Sequence, residues 1–288
     1  MRRVTTLVAG VALALAGCTT APTPTTSPAA PSPSDVRPVP SPTVARTDPP
    51  ATSTLDAVVY FPRESSGGVR LGRELHPVAQ GDPLRGALEA MLAGPDDPDY
   101  SNGWAPGTRV LSATTSGSVT TVDLSSEART TSLAPEAAHA QADQLVWTVT
   151  ELVGADTMVR LTVDGQPAGD LWGAGSWAEP RARADVFSTR VLVSIDTPSE
   201  GSTVRSPLVV TGDAAAHEAR LLWRVLDAGG AVVQQGATTT AEGMVFAPYR
   251  IEVALPPGRY TVEVAEEDLG SGEGRAPDTD TRAVTIEG

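Results

Sequence analysis

Apolar residues fall into three regimes along the chain. An unbroken apolar run near the start gives way to a long tract with almost no large apolar side chain, and from Leu55 onward short periodic segments follow one another. The first of these, Leu55 to Phe61, is a β-rich run expected to stop at Pro62. Val69 to Val78 offers a second extended segment across the turn from Ser65 to Gly68. Next comes a helix with Asp82 as its N-cap and Pro83 at the first helical position. Leu84, Ala87, Leu88, Met91 and Leu92 share one face, and Gly94-Pro95 stops it. A polar loop over 96–107 carries Trp104. Arg109 to Thr115 and Val119 to Leu124 then read as a hairpin. A second helix starts near Pro135, with Ala138, Ala142, Leu145, Val149 and Leu152 at helical spacing and Gly154 as its cap. Met158 to Val163 is a further strand ending at Asp164-Gly165. The order strand, strand, helix, strand, strand, helix, strand suits an α+β sandwich with its helices on one face.

Residues 166–190 show no sustained period and are expected to bridge two domains. From Val191 the pattern changes to seven short strands with Gly and Pro turns: Val191 to Ile195, Leu208 to Gly212, Leu221 to Leu226, Ala231 to Gly236, Val245 to Leu255, Tyr260 to Ala265 and Thr281 to Glu287. That spacing implies an all-β sandwich. Alternation turns Tyr249, Ile251, Val253 and Leu255 inward, with Tyr260, Val262 and Val264 across the next turn. Trp223 is expected at the aromatic centre of this core. The division that follows is 1–17 signal peptide, 18–54 linker, 55–175 α+β domain, 176–190 interdomain linker and 191–288 immunoglobulin-like sandwich.

Arg2 and Arg3 precede the apolar Val4 to Ala14, which is too short to cross roughly 30 Å of hydrocarbon as a permanent helix, and Leu15-Ala16-Gly17-Cys18 then reads as a lipoprotein cleavage box. Cleavage before Cys18 and attachment of diacylglycerol to its thiol would hold everything downstream to the extracytoplasmic face of a membrane. Thr19 to Thr54 is a Pro/Thr/Ser/Ala tract that cannot bury enough surface to offset the entropy of folding, so it is expected to be a disordered spacer, open to O-linked sugar. Cys18 is the one cysteine among 288 residues, which rules out a disulfide within the chain.

Acidic residues number 35 against 21 basic ones, a net charge of −14, and removal of Arg2 and Arg3 takes it to −16. A field of that sign repels phosphates, so nucleic acid is not an expected partner. Arginine supplies every basic side chain while Ala, Gly and Pro abound, a bias of GC-rich genomes.

Leu88 to Pro95, Pro106 to Val110, Val119 to Glu127 and Gln144 to Gly165 resemble, in order and spacing, the GerMN domain of bacterial sporulation and germination lipoproteins, over about Leu55 to Trp172. Trp147 stands where that family more often carries tyrosine. The run from Pro198 to Gly230 resembles the Gmad2 domain, an immunoglobulin-like module often found after GerMN. Its matching positions are Pro198, Gly201, Val204, Ser206, Pro207, Val210, Gly212, Glu218, Ala219, Val225, Asp227 and Gly230, with His217 in place of the usual phenylalanine. The resemblance implies a link to sporulation or germination through binding rather than catalysis.

No catalytic or metal constellation is legible in the sequence. His76, His139 and His217 are scattered without a second histidine at ligand spacing or a cysteine partner, so no metal site is expected. No Gly-Xaa-Ser-Xaa-Gly elbow occurs. The acidic stretch 266–280, with Glu266, Glu267, Asp268, Glu273, Asp278 and Asp280, is open to calcium but lacks the alternate-position ligands of an EF-hand. The expectation is therefore an envelope lipoprotein with Cys18 as its lipidation site, no catalytic residue and no cofactor. Its partners would be the membrane through the lipid, and envelope proteins, cell-wall polymer or further copies of itself. A wall-polymer hydrolase using a carboxylate pair and a solute-binding lipoprotein remain as alternatives.

Overall fold

The computed structural model describes residues 53–267 and 276–288. The signal-like segment, Cys18, nearly all of the Pro/Thr-rich tract and the middle of the acidic stretch lie outside the described residues. What is described is mostly β, with several sheets and two long helices.

Strands β1 (Thr54–Ser65) and β2 (Gly68–Ala79) form an antiparallel hairpin in register from Thr54↔Ala79 to Ser65↔Gly68. The first strand runs through Pro62 instead of stopping there. The Pro62 carbonyl accepts the Ser101 N–H at 2.8 Å, on the side away from β2. Because the N–H and C=O of a strand residue share a side, the donor that proline lacks is one the hairpin ladder does not use. Alternation then gives the hairpin two covered faces, with Ala57, Val59 and Phe61 on one and Val58 and Tyr60 on the other.

Helix α1 (Pro83–Ala93) begins as expected, with the Asp82 carboxylate accepting the Arg85 N–H at 3.2 Å, and ends at Gly94, whose φ of 105° suits glycine. Ala87, Leu88 and Met91 are buried, and Leu84 and Leu92 pack at the margin. Each large side chain buried there contributes about 1.5–3 kcal/mol. Strands β3 (Val110–Ser116) and β4 (Val119–Leu124) form the second hairpin. Helix α2 (Pro135–Val153) then crosses over to β5 (Met158–Val163), which lies parallel to β4, and β6 (Gln166–Pro167) completes a sheet of order β3-β4-β5-β6. Both helices pack on each other and on β1. Helix α2 is covered on more than its expected stripe. Leu145 and Val149 join the main core, while Trp147 and Ala140 meet Tyr60 and Leu71 in a second cluster. The helices thus share their core with a hairpin and a separate sheet, in place of the single helix-covered face that the element order suggested.

The stretch 166–190 is packed, contrary to its reading as a bridge. Trp177 is 1 % exposed and joins Ala168, Leu171 and Ala174 in the main core. Val159 and Arg181 exchange two backbone hydrogen bonds of 2.8 Å, which lays this segment along β5. A short helix α3 (Val186–Thr189), capped by Asp185, leads into the second half. Gly and Pro broke the period here, and burial came from single aromatic anchors that no period announces.

The second half is a sandwich of two sheets. Strands β7 (Val193–Thr197), β8 (Ser202–Val204), β9 (Leu208–Ala214), β10 (Arg220–Asp227), β11 (Val232–Thr239), β12 (Ala247–Val253), β13 (Gly258–Glu266) and β14 (Thr279–Ile286) are arranged as β12-β9-β7 facing β11-β10-β13-β14-β8. Strand β8, which pairs parallel to β14, goes beyond the seven expected, since three residues beside a turn carry no alternation. Tyr249, Ile251, Val253, Leu255, Val262 and Val264 are buried as the alternation required, with Tyr260 at the margin. Trp223 is not the centre. It is half-buried at the edge of the core over Gly236, and the buried aromatic is Tyr249, whose hydroxyl donates to the Ser194 carbonyl at 3.0 Å.

Gly212 owes its place to this close approach. A Cβ there would overlap the Ser194 carbonyl oxygen and the Tyr249 hydroxyl. Gly212→Ala is expected to cost about 1–3 kcal/mol in a denaturant titration, as overpacked positions do. An unchanged midpoint would show that β7 and Tyr249 move aside freely.

Candidate functional site

The buried charged side chains of the described residues gather where the two halves meet. Strand order explains why. The outer edge of β7 has no strand beside it, and its backbone groups are met by side chains. Asp278 accepts the Leu192 N–H at 2.9 Å, Asp280 accepts the Ile195 N–H at 2.6 Å, and Arg282 donates to the Ile195 carbonyl at 2.8 Å. Asp278 and Asp280 are thereby engaged with backbone and arginine, which withdraws two of the carboxylates that a calcium loop over 266–280 would require. Alternation along β14 turns Asp280 and Arg282 to the same face, toward the first half.

There Asp280, fully buried, also accepts from Arg63 at 3.2 Å and from the Tyr100 hydroxyl at 3.1 Å. Arg282 is 2 % exposed and pairs with Asp97 and, at 3.3 Å, with Asp280. Burial pushes the Asp97 carboxyl up to about 6, against the pull of the Arg282 guanidinium. Burial likewise raises the Tyr100 hydroxyl, and the Asp280 charge adds to the shift. A second set of ion pairs runs parallel. Arg73 grips Asp196 through two bonds of 2.8 and 2.5 Å and reaches Asp213 at 3.4 Å, while Arg190 meets Asp213 at 2.7 Å. Arg190 also lies 3.9 Å from the ring centroid of Phe246 and 5.5 Å from that of Tyr60. A direct backbone bond, Val191 N–H to the Leu71 carbonyl at 3.0 Å, adjoins these pairs.

Beside this joint, β2 places Glu74 and His76 two residues apart and so on one face. The His76 Nε2 lies 2.8 Å from a Glu74 carboxylate oxygen, and the Phe61 ring is 5.7 Å from the imidazole. Glu74 further accepts the Asp96 N–H at 3.1 Å and the Asp97 N–H at 2.8 Å. Burial works to raise its pKa, but the bonds from His76 and the two backbone donors prevail and hold it below the ordinary glutamate value. With Asp96, these side chains bring three ligand-type atoms within 4.8 Å of one another. No histidine pair or cysteine marks this group in the sequence, so ligand spacing does not reveal it. Glu-Xaa-His on a strand is the signal that was present, and its third member comes from a loop 20 residues on. His139 and His217 are exposed and lie elsewhere, on α2 and in the turn before β10.

Two open grooves lie away from the joint. One, of about 630 Å³, runs between α1 and β3, lined by Arg85, Glu89, Leu92 and Leu111. The other, of about 640 Å³, crosses the outer face of the five-stranded sheet past Leu222, Ala265 and Pro277. The ion pairs Arg85–Glu89 and Arg224–Glu263 sit in them, one in each. No helix among the described residues is long and apolar enough to cross a membrane.

Residues 58–169 match the Germane family, described by sporulation and spore germination, and residues 192–273 match Gmad2, described as the immunoglobulin-like domain of bacterial spore germination. No curated protein matches the chain. Among solved structures, the chain is similar to the tandem GerMN domains of the sporulation protein GerM from Bacillus subtilis, at 17 % identity over 51 % of each chain with a TM-score of 0.40. It is also similar to the first GerMN domain of that protein, at 18 % identity over 45 % of this chain and 95 % of the other, with a TM-score of 0.34. A putative lipoprotein from Clostridium perfringens shares 18 % identity over 49 % of this chain and 95 % of its own, with a TM-score of 0.32. The chain thus spans about half the length of the tandem GerMN structure. The two family matches follow the order of the two hydrophobic cores, and the chain carries a Germane domain of the sporulation and spore germination family followed by a Gmad2 immunoglobulin-like domain.

Proposed function

We propose that this chain is a non-catalytic envelope lipoprotein, held to the extracytoplasmic face of a membrane through Cys18, whose two domains present one binding surface to envelope proteins or cell-wall polymer. The observation that carries this reading is the joint. The buried charges of Arg190, Arg282, Asp97, Asp213 and Asp280 and the half-buried Arg63 and Arg73 are engaged with one another, so their role is to fix one domain against the other. A fixed pair of domains suits a scaffold. Both matched families are described by sporulation and germination and not by a reaction, which supports the same reading. Surface confinement by a lipid raises effective concentration, so contacts of micromolar strength, about 8 kcal/mol, are enough to hold a membrane-bound partner.

Two results test it. Cys18→Ala should release the protein from the membrane fraction or leave an uncleaved precursor. Correct processing with unchanged membrane association, and no acyl chain on the wild type, would defeat the anchor. Crosslinking in intact cells from residues exposed in the two grooves should trap the same envelope proteins repeatedly, or copies of this chain. Turnover of wall polymer by the purified chain, abolished by one carboxylate substitution that leaves the fold intact, would replace the scaffold by a hydrolase.

A further inference from the structure

We propose that Glu74, His76 and Asp96 form a binding site for a divalent transition metal, of which zinc is the natural probe. This goes beyond the scaffold reading and does not depend on it. The donor set is one imidazole nitrogen and two carboxylates, a mixture suited to zinc and its neighbours. Two carboxylates against a dication leave the site neutral, which limits the cost of placing it where Glu74 is 6 % exposed.

Geometry supplies the rest. The Glu74 and His76 donors come from positions i and i+2 of a rigid paired strand, and the Glu74 carboxylate is held in place by the Asp96 and Asp97 N–H groups. Such outer partners orient a metal ligand before the ion arrives. Ligands at about 2.0–2.2 Å from a tetrahedral zinc stand roughly 3.4 Å apart. The His76–Glu74 separation of 2.8 Å must therefore open by about half an ångström, and the Asp96 oxygen, within 4.8 Å, must swing inward. Asp96 is exposed and belongs to a loop, so that swing is a change of rotamer. A small cavity lined by Glu74, Asp96, Asp196, Ser199 and Glu200 adjoins the site, with room for about one water as a fourth ligand. Arg282 borders the same cavity, but its charge is answered by Asp97 and Asp280. Because the cavity wall comes from both domains, a bound ion would also tighten the joint.

Zinc titrated calorimetrically into the purified full chain should bind at one equivalent, and cobalt in its place should show the visible absorption of a tetrahedral centre. His76→Gln and Asp96→Asn should each weaken binding by about 10- to 100-fold or more, with circular dichroism unchanged. Asp96→Asn guards the test against misfolding, since its side chain is exposed. The proposal is overturned if zinc fails to bind at millimolar concentration, or if both variants bind as the parent does, which would assign the ion to the general acidic surface.

Discussion

Arg282→Met should destabilise the folded chain by about 3–5 kcal/mol, the range seen when one member of a buried ion pair is removed. Arg282 is 2 % exposed, and its guanidinium faces Asp97, Asp280, the Tyr100 hydroxyl and the Ile195 carbonyl. Methionine fills much of the volume but answers none of these groups. Asp280, fully buried, would keep Arg63 and Tyr100 but lose one of its two arginines, and Asp97 would lose its ion-pair partner. Adding Asp97→Asn to Arg282→Met should recover part of the loss by removing the unanswered charge, a coupling readable in a double-mutant cycle. The exposed pair Arg224–Glu263 is the control, and Arg224→Met should stay within about 0.5–1 kcal/mol. Urea titration of all these variants decides the matter. A loss below about 1 kcal/mol for Arg282→Met would mean that the joint relaxes and admits water, and that the domains are not fixed by charge.

Trp177→Ala carries the second large effect, about 3–5 kcal/mol by the usual cost of emptying a buried aromatic site. The ring is 1 % exposed and belongs to the same core cluster as Ala168, Leu171 and Ala174, so its removal leaves a cavity in the main core. Its face also receives the Arg181 guanidinium, 4.8 Å from the ring centroid, and the Arg181 backbone is bonded to Val159 of β5. Loss of the ring should therefore loosen the segment along β5 as well, visible as faster amide exchange near Arg181. Trp223→Ala is the informative comparison, since that ring is only half-buried and its truncation should cost clearly less. Equal losses at the two positions would contradict the packing described.

Period and punctuation made much of the local structure legible. Asp82-Pro83 and Gly94 bounded α1, Pro135 and Gly154 bounded α2, and the alternation from Tyr249 to Leu255 faced inward as read. The order of family motifs gave the two domain types. Errors came where neighbours in space overrule neighbours in sequence. Pro62 continued β1 because its unused side faced a loop, Trp223 met an edge and not a centre, and Trp177 anchored a stretch without any period.

Most of the strand and helix segments and the lipobox-like start were legible along the chain because each depends on residues within a few positions of one another, and the sign of the charge because it is a plain sum over residues. Tertiary structure alone decided the joint and the Glu74–His76–Asp96 group. Asp97 meets Arg282 across 185 positions and Tyr100 meets Asp280 across 180. An isolated aspartate or arginine in a sequence looks like a solvated surface charge. Only folding shows that an open strand edge and a second domain have removed the water, and that the charges there must answer one another.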